Sequence, residues 1–531
     1  MSDHGLPELP GGVKLTHIGV DNLRALRMPE PVELRRLTFI VGRNGIGKST
    51  FTRLFPLLRQ SAERRYREPI LFGPGTPGDG PIDFGSFATA LRHWEGGHAE
   101  EMVFTLRVED PTSGDGRTPI TYKSALCAHG ELGRVSWVEV ERGEHRLRMH
   151  YDERGRPTHA EGAFGQTPVT FTGEQILRLV PSAQCEPDRL FGVGEFTSAD
   201  AINQVVNTVW SQYTRSKGAP TELLYADLSQ PGHILHLLHR VVSDFDPKNG
   251  PRPSDVSHQL TRADAPHYST GGAFLDAMID SARSTIEHTK ESAAAFAMKW
   301  LVRHLSDAGA HLRHLALSTA YIGPARQLPA RFYRATSAAV DRLDPDGGNL
   351  LDFLRSLSAV QLSDLNKTLS AMLHFQVSLK PEGASWSIQI VLDRQPHNLV
   401  DVGFGYSQVL PVIVQLWASN HDLSNDRGSG RLSTFVVEQP ELHLHPHHQV
   451  LLARAFAGAA MEERGPMLIV ETHSDHLIGE IGRMVSRDEL SPERVQILCV
   501  DAHPDGGATI EQATFDEDGY LNNWPVGFLS P

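Results

Sequence analysis

The sequence predicts an α/β fold whose parallel strands are buried on both faces. An apolar run at residues 37–41 leads into a glycine-rich segment, and apolar residues then recur at helical spacing over residues 51–58. Two later apolar runs, at 435–437 and 467–470, each end in acidic residues. Continuous apolar strands are typical of parallel sheets covered by helices. Because the carboxyl ends of such strands share one edge, where ligands bind, we expect a ligand site at that edge.

The composition is that of an ordinary folded protein. Apolar residues make up 40% of the chain and charged residues 21%, which excludes a disordered, collagen-like or purely coiled-coil protein. The 531 residues correspond to three or four domain-sized units, or to one large nucleotide-binding fold with insertions. The formal net charge of −14 excludes a globally basic surface for nucleic acid and leaves room for a local basic patch.

The cysteines and the apolar runs indicate where the protein works. Cys127, Cys185 and Cys499 are far apart and form no CxxC pair, which favours a reducing compartment over a disulfide framework or a zinc finger. The first twelve residues lack the features of a signal peptide, and no apolar run approaches the roughly 20 residues of a membrane helix. We therefore expect a cytoplasmic protein that does not contact a membrane.

Local patterns divide the chain into strands, a loop and helices. Residues 14–41 alternate in part and are predicted to form strands, and residues 69–95, rich in Gly, Pro and Asp, are predicted to form a long loop. Residues 101–175 alternate and contain glycine turns, which predicts a meander of hairpins. Residues 195–315 are predicted to be mostly helical. Their longest helix, at 273–306, is interpreted either as core or as a partner-binding arm.

The glycine-rich segment matches the phosphate-loop pattern GxxxxGK[ST], with strand before and helix after. Its glycines let backbone N–H groups face phosphate oxygens, and the following helix adds a positive dipole end. Lys48 is expected to reach the β- and γ-phosphates of ATP, and Ser49 to offer its hydroxyl to Mg²⁺. The predicted nucleotide-binding residues here are Gly42, Arg43, Asn44, Gly45, Ile46, Gly47, Lys48, Ser49 and Thr50.

A phosphate loop needs a metal-holding acid at the end of a neighbouring strand. The strand at 435–437 ends in Glu438, Gln439 and, two residues on, Glu441. The strand at 467–470 ends in Glu471 and continues to His473. In the sequence, residues 401–408 lie between the phosphate loop and these two strands and are predicted to form a loop that contains Gly and Ser. A helix is predicted after it at 409–417, and its N-terminus makes a second anion site.

The order of these segments resembles that of ABC-type ATPase heads of the SMC, RecF and overcoming-lysogenization-defect (OLD) group. The sequence VEQPELHLHP at 437–446 is similar to a subgroup of stand-alone bacterial ATPases, many of them found in defence islands. The segment GPAR at 323–326, with RFY at 331–333, and the closing residues 516–531 are similar to the same subgroup. The resemblance covers roughly 1–110 and 320–531 and covers the middle poorly.

The resemblance implies roles for individual residues. Glu438 matches the Mg²⁺ carboxylate, so Ser49 and Glu438 would hold the metal, and His473 matches the switch histidine. Gln439 lies where such heads carry the catalytic glutamate, so hydrolysis is expected to be slow, with Glu471 as the better candidate base and Glu441 as a shaper of the following loop. The signature loop would be formed by residues 403–408, with Gly405, Ser407 and Gln408 acting on the nucleotide of a second protomer. The loop at 83–87 is the candidate Q-loop.

Three other interpretations remain open from the sequence. The histidines at 443–448 form a possible metal site, although no CxxC or HExxH accompanies them. The arginines on and after the phosphate-loop helix favour either binding to a phosphate backbone or a solvated helix face; they are Arg53, Arg59, Arg64, Arg65 and Arg67. A built-in nuclease is not expected, because 531 − 473 = 58 residues follow His473 and no carboxylate cluster for two metals is evident.

The sequence therefore predicts an ABC-type ATPase head interrupted by a mainly helical insertion. Its first half would span 1–180, the insertion 181–320 and the second half 321–531. The expected function is a nucleotide-gated switch that dimerises, or forms a higher oligomer, around ATP. It would serve as the sensor or regulatory subunit of a bacterial anti-phage defence system, with a co-encoded nuclease or toxin as effector. The alternative is a DNA-binding ATPase of repair or DNA maintenance.

Overall fold

The computed structural model describes the chain mainly on either side of a central segment. The described residues are 8–9, 13–63, 68–73, 81–94, 97–109, 118–179, 190, 290–334, 336, 340, 342–421, 432–503 and 506–524. Strands and helices are mixed along these residues, so the predicted α/β class is confirmed. No helix among the described residues combines the length and the apolar character needed to cross a membrane.

The strands fall into three groups along the chain. The first group is β1 (Glu8–Leu9), β2 (Val13–Asp21), β3 (Val32–Glu33), β4 (Leu37–Gly42), β5 (His93–Trp94), β6 (Gly97–His98), β7 (Glu101–Glu109), β8 (Ile120–His129), β9 (Leu132–Arg142), β10 (His145–Tyr151), β11 (Pro157–Phe164) and β12 (Thr167–Thr172). The second group is β13 (Thr319–Ile322), β14 (Gln376–Glu382), β15 (Ser385–Leu392) and β16 (Gln395–Asn398). The third group is β17 (Thr434–Glu438), β18 (Met467–Glu471), β19 (Val495–Ala502), β20 (Ala508–Phe515) and β21 (Leu521–Asn522).

The helices follow the same order. They are α1 (Lys48–Thr52), α2 (Leu54–Glu63), α3 (Phe87–Ala90), α4 (Gly173–Leu179), α5 (Lys290–Leu317), α6 (Leu350–Ser356), α7 (Ala359–Leu373), α8 (Phe404–Asn420), α9 (Pro446–Met461) and α10 (Asp475–Ser486). A short 3₁₀ helix spans Pro492–Arg494. Helix α7 begins with a capping box, in which the Ser358 hydroxyl and the Gln361 side chain satisfy each other's backbone N–H groups.

A seven-stranded sheet positions the predicted site. Its spatial order is β13-β17-β18-β4-β19-β20-β21. The five strands from β13 to β19 pair in parallel, and β20 and β21 add antiparallel pairs at one edge. Strand β18 therefore lies between β4, which leads into the glycine-rich loop, and β17, which ends at Glu438. The carboxyl ends of β4, β17 and β18 meet at one edge, as the sequence predicts.

A nine-stranded antiparallel sheet forms the second layer. Its main path is β1-β2-β7-β8-β9-β10-β11-β12, with β3 paired to β2. Strands β7 to β12 are joined in sequence order, so the predicted meander at 101–175 is confirmed. The segment predicted as a long loop contains only short elements among its described residues, namely α3 and β5.

The two layers build two apolar cores that share the parallel sheet. One core packs the inner face of the antiparallel sheet with α2 and α5, and it includes Ile40 of β4. The other packs α7, α8 and α9 against the opposite face, and it includes Leu37, Phe39 and Val41 of the same strand. Alternate residues of a strand point to opposite faces, so β4 is buried throughout because both of its faces are covered.

Two predicted helices have different bounds in the structure. Helix α5 continues eleven residues past 306 to Leu317, while residues 273–289 lie outside the described part. Helix α8 begins at Phe404 instead of residue 409, so most of the predicted loop at 401–408 is its first turn. The glycines suggested a longer loop, but Gly405 is helical. A Cβ on Gly405 would lie 3.0 Å from the His443 carbonyl oxygen, so the glycine serves close packing here.

Candidate functional site

The glycine-rich loop joins β4 to α1 at the carboxyl edge of the parallel sheet. Gly42 ends the strand, and a Cβ at this position would lie 2.5 Å from the Val500 carbonyl oxygen of neighbouring β19. Gly47 precedes α1 with a φ of 120°, in the region that favours glycine. The path of the loop therefore depends on both glycines, as a phosphate-binding loop requires.

The Lys48 ammonium is hydrogen-bonded to its own loop. The residue is 4% exposed, and Nζ donates to the Arg43 carbonyl oxygen at 2.6 Å. Burial lowers the pKa of Lys48, and the charge of Glu471 opposes that shift. An ammonium has three donors, so two remain for phosphate oxygens while the bond to Arg43 persists.

Ser49 contacts the acid that ends β18. Its hydroxyl donates to Glu471 Oε1 at 2.8 Å, and Glu471 is 1% exposed. Burial raises the pKa of Glu471, and the charge of Glu438 raises it further. The second oxygen, Oε2, is buried and has no hydrogen-bond partner among the described residues. Glu471 therefore offers an unused acceptor next to the phosphate loop.

The acid that ends β17 is held by two other side chains. Arg53 donates from Nε to Glu438 Oε1 at 2.8 Å and from Nη2 to Oε2 at 2.9 Å. The Tyr321 hydroxyl of β13 also donates to Glu438 Oε1, at 2.7 Å. The hydrogen bond to Glu438 raises the pKa of Arg53, and burial raises the pKa of Tyr321. Both carboxylate oxygens of Glu438 are engaged in this arrangement.

A second arginine binds the backbone just after β17. Arg326 is 7% exposed, and its Nη2 donates to the carbonyl oxygens of Glu438 at 2.8 Å and Gln439 at 3.3 Å. Burial lowers the pKa of Arg326 to about 10. Its Nε and Nη1 are buried without hydrogen-bond partners among the described residues. Arg326 therefore fixes the turn at Glu438 and adds positive charge beneath it.

The residues after β17 and β18 are bonded to one another. Gln439 has a φ of 45°, and its N–H donates to the Glu471 carbonyl oxygen at 2.7 Å. Glu441, 9% exposed, accepts from the His473 backbone N–H at 2.7 Å, and burial raises the pKa of Glu441. Burial lowers the pKa of His473, and the charge of Lys48 lowers it further. Glu441 thus positions the histidine segment as well as its own loop.

The Gly- and Ser-containing segment forms the start of α8, next to the loop after β17. Ser407 is 4% exposed, and its hydroxyl donates to the Phe404 carbonyl oxygen at 2.7 Å within the same helix. Gln408 is 3% exposed, and its Nε2 has no hydrogen-bond partner among the described residues. Phe404 is 41% exposed, and the centre of its ring lies 4.7 Å from the centre of the His443 ring. No hydrogen bond in the described part of the chain joins this helix start to the phosphate loop.

The histidines after β17 have structural contacts. His445 caps α9 by accepting from the His447 N–H through Nδ1 at 3.3 Å. The His448 ring contacts Tyr406 at 6.2 Å and His447 at 5.9 Å. These contacts connect the start of α9 with the start of α8.

The structure brings together Lys48, Ser49, Glu438 and Glu471, and it adds two residues that the sequence reasoning missed. From the sequence, Arg53 falls in the group of arginines interpreted as a phosphate-binding surface or a solvated helix face, and no motif points to Tyr321. The available signal for Arg53 is its spacing, since it follows Ser49 by one helical turn and so lies on the same face. Of the other arginines in that group, Arg59 pairs with Glu63 at 2.8 Å, and those at 64, 65 and 67 lie outside the described residues.

Comparison with known proteins finds an ATPase domain model that matches part of the chain. Residues 338–478 match a family model described as an AAA ATPase domain. This range contains α8, β17 and β18, and together with the phosphate loop it identifies an ATPase domain in the chain. Among solved structures, the chain is similar to the SMC head domain from Thermotoga maritima, at 11% identity, over 94% of this chain and 98% of that chain, with a TM-score of 0.33. The search of curated proteins found no match.

Proposed function

We propose that this protein is an ATP-binding, slowly hydrolysing switch whose two nucleotide sites form between two copies of the chain. The observation that carries the proposal is the hydrogen bond from the phosphate-loop Ser49 to Glu471. Glu438 lies beside Glu471, as its partner on the neighbouring parallel strand. A hydroxyl and two buried carboxylates at the carboxyl edge of a parallel sheet are the groups that bind the metal ion of a nucleoside triphosphate.

The oxygen donors at this edge fit Mg²⁺. Magnesium prefers hydroxyl, carboxylate and phosphate oxygens. Ser49 and Glu438 are the proposed ligands, and the unpartnered Oε2 of Glu471 makes this residue a further candidate. The ion would neutralise charge on the phosphates. Glu438 can serve as a ligand once Arg53 releases at least one of its oxygens.

The chain's own residues suggest how ATP would be held and why turnover would be slow. Lys48 would exchange part of its contact with Arg43 for contacts with phosphate oxygens. Gln439 can orient a water molecule but is a poor base, and loss of a general base typically costs a factor of about 10² to 10⁴ in rate. Glu471 is the proposed remaining base. Its raised pKa places it closer to the range in which a carboxyl group accepts protons efficiently.

The biological role proposed here is that of a sensor or regulatory subunit in a bacterial anti-phage defence system. A switch acts through a partner that reads its state, so we propose a co-encoded effector such as a nuclease or toxin. The proposed alternative, a DNA-binding ATPase, gains no support from Arg53 and Arg59. Both arginines are paired with acids of the same chain.

The mass of the protein with and without nucleotide tests the switch. We expect Mg²⁺ and ATP to double the mass measured by light scattering, and Lys48→Ala to stay at the mass without nucleotide. We also expect steady-state turnover well below the roughly 10 s⁻¹ median of enzymes. An unchanged mass at saturating ATP, or turnover at ordinary enzyme rates, would contradict the proposal. DNA binding that falls steeply with salt would favour the alternative function.

A further inference from the structure

We propose that the outer face of the antiparallel sheet holds a divalent transition-metal site, of the zinc class, formed by His150, His159 and Glu161. One ligand atom from each of these three residues lies within 4.8 Å of the other two. The site lies on β10 and β11, in a sheet separate from the predicted nucleotide site.

The pairing of the two strands explains why the three side chains meet. His150 is the cross-strand partner of His159, and Glu161 follows His159 by two residues. Residues two apart on a strand share a face, and directly opposite residues are close neighbours. The two imidazole rings stack at 4.3 Å with an interplanar angle of 7°. His150 Nε2 lies 4.0 Å from Glu161 Oε1.

The first independent sign of a ligand is an unpartnered nitrogen. His150 Nε2 is buried and has no hydrogen-bond partner among the described residues. A buried polar atom without a partner is costly, and an unplaced ion is one of its ordinary explanations. An imidazole nitrogen without a hydrogen-bond partner can offer its lone pair to a metal.

The second sign is a hydrogen bond that fixes the other imidazole. The Thr158 hydroxyl donates to the His150 carbonyl oxygen at 3.3 Å, so its single proton is used. With that proton on the His150 carbonyl, Thr158 Oγ1, which lies 3.1 Å from His159 Nδ1, acts as the acceptor for an Nδ1–H. The lone pair of His159 is then on Nε2. Metal-binding histidines are typically oriented in this way by a bond from the other ring nitrogen.

Arg148, the cross-strand partner of Glu161, makes its contacts with residues outside the three ligands. Arg148 donates from Nε to Glu139 at 2.9 Å, and its guanidinium lies 3.9 Å from the centre of the Trp137 ring. Glu139 also pairs with Arg146 at 3.1 Å, so it neutralises each arginine only in part, and Glu161 is the carboxylate that lies next to the two histidines.

Rotation of side chains is enough to bring the three ligand atoms to the spacing that a bound zinc ion requires. Two ligands of a tetrahedral zinc ion are about 3.3 Å apart, given Zn–N and Zn–O distances near 2.0–2.1 Å. The present spacings of 4.0 Å and up to 4.8 Å exceed this by roughly an ångström. His159 and Glu161 are exposed, so they can move without disturbing the core. Two imidazoles and a carboxylate suit Zn²⁺, Co²⁺ and similar ions, with a fourth position left for water.

Zinc titration of the full-length chain tests the site, in the absence of nucleotide and Mg²⁺. We expect the wild type to bind one Zn²⁺ in competition with a chromophoric chelator. His159→Gln should weaken this binding by about 100-fold or more, and Thr158→Val by about tenfold, since loss of a group that orients a metal ligand typically costs 10- to 100-fold in affinity. Co²⁺ should give the intense visible absorption of a tetrahedral ion in the wild type, and His159→Gln should lose it.

A matched control is a second cross-strand histidine pair among the described residues, His93 and His98. One ring nitrogen of each is already bonded, His93 Nε2 to the Ala88 carbonyl oxygen at 2.7 Å and His98 Nδ1 to the Ala99 carbonyl oxygen at 2.8 Å. His93→Gln should leave zinc affinity unchanged. Melting of each variant in chelator checks that the apo fold is kept. Equal zinc binding by wild type and His159→Gln, or an equal loss in His93→Gln, would overturn the proposal and indicate adventitious binding to scattered histidines.

Discussion

At the scale of single residues, the site is organised by hydrogen bonds within the chain. Lys48 is bonded to Arg43, Ser49 to Glu471, and Glu438 to Arg53. Each of these polar groups is buried or partly buried and would otherwise lose its hydration without compensation. ATP and its metal would therefore replace existing contacts rather than fill a polar void.

Replacement of Lys48 by alanine is expected to weaken ATP binding at least tenfold. A hydrogen bond to a charged group contributes about 1.5–3 kcal/mol, which corresponds to one or more orders of magnitude in Kd. Calorimetric titration with ATP and Mg²⁺ measures the effect. The control is Lys380→Ala, since Lys380 has a 62% exposed side chain and pairs with Glu382 on a separate sheet. Equal ATP affinity in Lys48→Ala and wild type would contradict the assignment of the phosphate loop to the ATP site.

Glu471→Gln is expected to stabilise the nucleotide-free fold at neutral pH. The folded state raises the pKa of Glu471, so stability is highest below the unfolded value and falls as pH rises through the folded pKa. Glutamine removes this loss and can still accept the hydrogen bond from Ser49. Thermal melts without nucleotide should show a gain at pH 7–8 that shrinks toward pH 4.

The exposed Glu517 provides the control for this prediction, because Glu517→Gln should change the melting temperature little at any pH. Destabilisation by Glu471→Gln at pH 7, or a gain in melting temperature that does not depend on pH, would contradict the assignment of Glu471 as a buried carboxyl group with a raised pKa. In the presence of ATP and Mg²⁺, the same variant should lose the remaining turnover while it keeps ATP binding.

At the scale of elements, strand order decides which acid meets the loop. Strand β18 lies between β4 and β17, so Glu471 is nearer in the sheet to the phosphate-loop strand than Glu438 is. The sequence could predict all three strands and their shared edge, because each is an apolar run followed by an acid or a glycine. It could not predict their spatial order, since order depends on pairings between segments far apart in the chain.

Replacement of Arg53 by alanine is expected to show whether Glu438 or Glu471 binds Mg²⁺. Without Arg53 the buried Glu438 keeps the hydrogen bond from Tyr321 but loses its ion pair. This should cost about 2–3 kcal/mol of stability, toward the low end for a buried pair because the Arg53 side chain is 34% exposed. If Glu438 is a Mg²⁺ ligand, Mg²⁺ with ATP should raise the melting temperature more in Arg53→Ala than in wild type.

An equal rise in both proteins would assign the metal to Glu471 instead of Glu438. The matched control is Arg59→Ala, which removes an arginine of the same helical segment that pairs with the partly exposed Glu63. This variant should respond to Mg²⁺ and ATP as the wild type does.

At the scale of the whole molecule, the described residues form two cores on either face of one sheet. The sequence predicts the sheet, the meander at 101–175 and the mostly helical stretch at 195–315, because their periodicities are strong; of that stretch, residues 290–315 are described as helix. The division at 180 and 320 stays a prediction, since only residue 190 and residues 290–320 of the proposed insertion are described. The role of Ser407 also stays a prediction, because its action requires a second copy of the chain.

A mixture of two variants tests whether two copies share a site. Ser407 is buried, so a bulky residue there would disturb the fold, whereas Phe404 at the start of the same helix is 41% exposed. Phe404→Glu should block a nucleotide sandwich, and Lys48→Ala should weaken ATP binding, so mixing is done at an ATP concentration that Lys48→Ala does not bind. Mixed in equal amounts, the two variants should regain turnover, because one composite site combines a normal phosphate loop with a normal helix start.

The control is Val360→Glu, an equally apolar-to-acidic change at a 79% exposed position on α7. Alone it should keep the turnover of the wild type. A mixture of Phe404→Glu and Lys48→Ala that is no more active than either variant alone would argue against sites shared between protomers.

Strand β4 also has a consequence for how the molecule unfolds. Its residues alternate between the two cores, with Ile40 in one and Leu37, Phe39 and Val41 in the other. Neither core can open fully while this strand stays in place, and neither can keep its packing once the strand leaves. Backbone amides of β4 should therefore exchange with solvent only through global opening. Any ligand that tightens the loop at the end of β4 would slow exchange on both faces of the sheet together.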